Sequence, residues 1–70
     1  MMTIKRAKMI EKIIKEIEEN GKAYRQSYDY ELGENGEIIK HNIFQNPVIS
    51  VYATAEEVEQ VRRSMALRNW

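Results

Sequence analysis

Ala23-Tyr24-Arg25-Gln26-Ser27-Tyr28-Asp29-Tyr30-Glu31-Leu32, followed by Gly33-Glu34-Asn35-Gly36 and then Glu37-Ile38-Ile39-Lys40-His41-Asn42-Ile43-Phe44, is the stretch that decides the fold. Tyr24, Gln26, Tyr28, Tyr30 and Leu32 alternate with Arg25, Ser27, Asp29 and Glu31, the period of two expected of a half-buried strand. Asn35-Gly36 favours a type I′ hairpin turn, which needs positive φ at both central residues. With those two as the loop, Leu32 falls opposite Ile39, Tyr30 opposite His41 and Tyr28 opposite Ile43, all on one face directed at the core. The other face receives Glu31 with Lys40, Asp29 with Asn42 and Ser27 with Phe44.

Outward from this hairpin the period changes. Ile4, Ala7, Ile10, Ile14 and Ile17 recur at helical spacing, so Thr3 to Asn20 reads as an amphipathic helix capped by Thr3 and stopped at Gly21. Met9 and Ile13 widen its stripe. Asn46-Pro47 interrupts the second strand, because proline lacks a ladder donor. Val48 to Ala53 reads as a third strand whose apolar residues fall at both parities, so either Ile49 and Val51 or Val48 and Tyr52 face the core. Thr54-Ala55-Glu56-Glu57 has the spacing of a capping box and opens a second helix with Val58, Val61 and Met65 on its stripe.

The expected architecture is therefore α+β, a single domain over residues 1–70 in the order helix, three-stranded antiparallel sheet, helix, with both helices on one face of the sheet. Helix 3–20 is basic at its start (Lys5, Arg6, Lys8) and acidic at its end (Glu16, Glu18, Glu19), whereas the second helix has Glu56, Glu57 and Glu59 first and Arg62, Arg63 and Arg68 later. Laid parallel, each end of one meets opposite charge on the other. Two copies of helix 3–20 packed antiparallel would match in the same way, making that helix an alternative dimer interface.

Composition bounds the function. At 70 residues the core is thin, and with no cysteine and one histidine the chain has neither a disulfide framework nor a Cys/His zinc set, which leaves self-association as the remaining source of extra stability. The absence of cysteine and of a continuous apolar stretch over Met1 to Arg6 leads us to expect a cytoplasmic protein without a leader or membrane span. Eleven basic and eleven acidic side chains cancel, so there is no bulk field to gather nucleic acid.

No catalytic set, metal site or cofactor is expected. His41 stands alone, the glutamates lie on helix surfaces, and Gly33 to Gly36 lacks the lysine and helix of a phosphate loop. The working surface is expected on the outer sheet face, where this register places Ile38 and Phe44 among Arg25 and Lys40, uncovered by either helix. Tyr28, Tyr30, His41 and Tyr52 are secondary candidates, read first as core rings with polar tips and second as a stacking platform or small-ligand contact. The expected function is a non-catalytic interaction protein that binds itself or a protein partner. Composition of this kind is common among the inhibitors, regulators and ligand-sequestering proteins of phages and mobile elements.

The element order also resembles that of the double-stranded RNA-binding domain, which implies nucleic-acid binding as the alternative. That family grips phosphates with lysines at the start of its second helix. This chain has Ala55-Glu56-Glu57-Val58-Glu59 there.

Overall fold

A computed structural model describes residues 2–43 and 49–67. Helix α1 (Ile4–Asn20) leads into strands β1 (Ala23–Arg25), β2 (Tyr28–Leu32), β3 (Ile38–Asn42) and β4 (Ile49–Ala53), and α2 (Ala55–Leu67) follows. The strands form one antiparallel sheet in chain order. The fold is α+β with two helices and four strands, one strand more than expected. The extra strand arises because the run from Ala23 to Leu32 folds back on itself, with Arg25 opposite Tyr28 and only Gln26-Ser27 between them. Element order thereby departs from that of the double-stranded RNA-binding domain.

The termini of the helices form as their sequences require. Thr3 Oγ1 accepts the Arg6 amide at 3.1 Å, and Gly21, at φ 82°, donates its amide to the Ile17 carbonyl at 2.7 Å. In α2 the capping box closes both ways: Thr54 Oγ1 accepts from the Glu57 amide at 3.2 Å, and Glu57 Oε1 accepts from the Thr54 amide at 3.1 Å. Ala7, Ile10, Ile13, Ile14 and Ile17 of α1 are buried; Ile4 and Met9, at the margins of the expected stripe, are exposed.

The hairpin between β2 and β3 turns differently from expectation, and the difference reverses the faces of β3. Gly33 donates to the Glu37 carbonyl at 2.8 Å and Gly36 to the Gly33 carbonyl at 3.1 Å. With Gly36 at φ 89°, the loop is Glu34-Asn35-Gly36, a tight turn followed by a left-handed glycine. Leu32 then pairs with Ile38, Tyr30 with Lys40 and Tyr28 with Asn42. A loop of three residues in place of two shifts the register by one, and a one-residue shift moves every side chain of a strand to the opposite face. The Asn35-Gly36 loop would have set Glu34 against Glu37. In the three-residue loop the Glu37 carboxylate instead accepts the Asn35 amide at 3.1 Å.

The corrected register gives the core its composition. Ala23, Tyr30, Ile38 and Ala53 from the sheet join the α1 stripe and Val58 and Val61 of α2 in one buried cluster, with Tyr28, Tyr52 and Met65 packed against it. Ile38, expected on the outer face, is fully buried. A bulge in the β3–β4 pairing at Ile38/Ile39 brings Ala53 opposite Ile38 while Val51 stays opposite Ile39. Ile49 and Val51, 60% and 58% exposed, are the residues of β4 that do not face the core. The charge polarity of the helices is used within the chain: Arg6 pairs with Glu57 at 3.1 Å and Arg62 with Glu18 at 3.3 Å.

Candidate functional site

Two rows of side chains cross the sheet on the face that alternates with the core residues. The first runs Tyr24, Asp29, His41, Ile49, one residue from each strand; the second runs Glu31, Ile39, Val51. Ile43, just beyond β3, follows His41 at the same parity. Tyr24, Ile43, Ile49 and Val51 are exposed and Ile39 half-buried, so the face carries an apolar surface centred on β3 and β4. Ile43, Ile49 and Val51 with Ile39 beside them make up that surface, and Tyr24 stands apart from it across Asp29 and His41.

The polar centre of this face is compact. His41 Nδ1 lies 3.3 Å from Asp29 Oδ1, near enough for an ion pair yet not aligned as a hydrogen bond. Lys22 Nζ sits 4.0 Å from Asp29 Oδ2 and 3.8 Å from Glu31 Oε2, so β2 presents two carboxylates bridged by one ammonium. A histidine beside an aspartate is half of a general-base arrangement. Here the ring's neighbours in its own row and the next are Asp29, Ile49 and Ile39, one carboxylate and two aliphatic side chains.

The expected site residues are dispersed by the corrected register. Ile38 is in the core, and Phe44 lies outside the described residues. Arg25 and Lys40 are on the core-side parity: Arg25 reaches Glu16 of α1 at 2.8 Å, and Lys40 Nζ lies 3.9 Å from the Tyr28 ring centroid. Tyr30 is buried edge-to-face against Tyr52, with centroids 5.1 Å apart, and burial followed by the nearby Tyr52 raises its phenol pKa. The Arg6 guanidinium lies 5.2 Å from the centroid of the Tyr52 ring. Tyr28, Tyr30 and Tyr52 thus act as core and rim. His41 sits on the outer face, paired with Asp29 in place of Tyr30.

Sequence reasoning placed Asp29 on the outer face and left Ile49 and Val51 open between the two faces, but it turned Tyr24 inward along with Ile39 and Ile43. The signal that points to them is the pair Glu34 and Glu37, which a two-residue loop would force into opposition.

A second surface lies between α1 and β1, an open groove lined by Met9, Lys12, Lys15, Glu16 and Arg25. Two of its cations are engaged with carboxylates, Lys15 with Glu11 at 3.1 Å and Arg25 with Glu16. Its net positive character is small. Among the described residues no helix is long and apolar enough to cross a membrane. No family model, curated protein or solved structure matches the chain.

Proposed function

We propose that the chain is a non-catalytic, cytoplasmic interaction protein that associates with a second copy of itself through the outer side of β3 and β4. In this reading both helices cover the sheet face bearing Ala23, Tyr30, Ile38 and Ala53, and the opposite face is the working surface. The observation that carries it is the exposure of Ile43, Ile49 and Val51 beside Ile39 on one contiguous side of the sheet. A second copy is the favoured partner because a chain of 70 residues without cysteine gains most from burying such apolar surface. Arg6 at one end of α1 and Glu18 at the other are already paired with α2, which favours the sheet over that helix as the interface. Nucleic-acid binding through Lys12, Lys15 and Arg25 is the weaker reading, given that Lys15 and Arg25 are engaged with carboxylates.

Sedimentation equilibrium from micromolar to millimolar chain tests the proposal. The wild-type chain is expected to dimerise with rising concentration, and Val51→Glu to stay monomeric with an unchanged circular-dichroism spectrum. A wild-type chain monomeric throughout the range would overturn it.

A further inference from the structure

The two edges of the sheet are chemically unlike. β1 is a short edge, Ala23-Tyr24-Arg25, flanked by Lys22, and charged side chains are a common device for keeping strand edges from pairing. β4 reads Ile49-Ser50-Val51-Tyr52-Ala53, without charge, proline or glycine, and among the described residues only β3 pairs with it. At its far end Arg6 Nη2 donates to the Tyr52 carbonyl at 2.7 Å, beside the bulge, so the edge open to pairing runs from Ile49 to Val51.

We infer that two copies of the chain join by antiparallel pairing of their β4 edges about a twofold axis at Ser50, forming one continuous eight-stranded sheet. The inference rests on the reading that the chain associates with itself; it replaces contact through the flat of the outer face with contact along the β4 margin of that face, where Ile49 and Val51 lie. It follows from the self-complementarity of the segment. With Ser50 facing Ser50 of the second copy, Ile49 of each chain falls opposite Val51 of the other, and both lie on the outer face. Two β-branched residues opposed in this way form a favourable cross-strand pair. On the other face two small exposed hydroxyls meet, with no charge set against its like. The row Tyr24, Asp29, His41, Ile49 then continues into Val51, Ile39 and Glu31 of the second copy, so the apolar residues gather at the seam and the carboxylates stay away from it. The β1 edge offers less, being three residues long and bounded by the charged side chains of Lys22 and Arg25.

Ser50→Glu separates this geometry from a face-to-face dimer. Ser50 points away from the outer face, so the substitution leaves that face intact, and within the chain it sets a carboxylate opposite Lys40. At the seam it opposes two carboxylates. The expected result is a folded chain whose dimer affinity falls roughly tenfold or more, with dimer restored on mixing Ser50→Glu with Ser50→Lys. Hydrogen–deuterium exchange on the wild-type chain supplies a readout independent of any variant: peptides covering 49–53 should gain protection as concentration rises. If the wild-type chain dimerises while 49–53 exchange is unchanged and Ser50→Glu associates normally, the edge pairing is wrong and self-association stands. A chain that stays monomeric overturns both.

Discussion

Replacing Ile38 and Ile39 separately with valine distinguishes the observed register from the one Asn35-Gly36 suggests. Ile38 is 0% exposed within the core cluster, whereas Ile39 is half-buried on the opposite side of the sheet. Each substitution deletes one methylene-sized group and preserves the β-branched preference for strand. At a closed site the loss is roughly 0.5–1.5 kcal/mol, the transfer term plus the small void left behind. At a partly solvated site it stays within roughly 0.5 kcal/mol. For a chain of this length total stability is on the order of 4–10 kcal/mol, so Ile38→Ala, at about 2–5 kcal/mol, risks unfolding and valine is the better probe. About 1 kcal/mol corresponds to a melting shift of about 4–8 °C in a domain this small. Thermal melts by circular dichroism at low micromolar concentration, where association is suppressed, should therefore show Ile38→Val melting several degrees below Ile39→Val. The opposite ranking would refute the three-residue loop, since a two-residue loop turns Ile39 inward and Ile38 outward.

Glu57 supplies a pH-dependent test. Its hydrogen bond from Arg6, and next the one from the Thr54 amide, hold its carboxyl below the usual range. A folded-state pKa below the unfolded one gives stability that is present above the unfolded value and lost as pH falls through the folded value. Urea denaturation from pH 6 to pH 3 should thus show a steeper acid loss for the wild-type chain than for Glu57→Gln. The difference is on the order of 0.5–1 kcal/mol, since the pair is partly exposed and screened. The hairpin glycines should fail by different routes. Gly36→Ala meets no atoms within 4 Å but must hold φ 89°, costing about 1–2 kcal/mol, and Gly36→Asn should recover part of that loss in the urea midpoint. Gly33→Ala has no such strain; its methyl would displace the Glu37 carboxylate and press on Ile39 Cδ1 at 2.8 Å, so Glu37→Ala should relieve part of its cost.

The elements that were legible in the sequence are those whose signal is local. Thr3 and Gly21 bound α1, and Thr54 with Glu57 opens α2, because caps are satisfied by residues three or four positions away. The sheet depended on counts that a single residue can change. Gln26-Ser27 turns the chain without glycine or asparagine, so β1 and β2 read as one strand, and Tyr24 was assigned to the wrong face. Asn35-Gly36 is a strong turn signal, but Gly36 closes a three-residue loop, which exchanged Ile38 for Ile39 and Lys40 for His41. Adjacent apolar residues at Ile38-Ile39 left periodicity unable to choose between the faces. Ile38, expected on the outer side, therefore lies in the core, and Ile39 takes the outer position.

The corrected faces show an inversion that monomer stability does not explain. Around the Leu32, Ile38, Ala53 row the sheet has its apolar side chains where the core is. One and two rungs further along, the core-side parity carries Lys40, Ser50 and Asn42, and the outer parity carries His41, Ile49 and Ile43. In a two-layer fold under selection only for its own core, the exposed face is the polar one. Each exposed isoleucine or valine here forgoes roughly 1.5–3 kcal/mol that full burial would contribute. Exchanging Lys40 with Ile39 would restore the alternation on β3 without altering composition. The inverted order at β3 and β4, together with the uncharged β4 edge among the described residues, is what the proposed interface on that side requires.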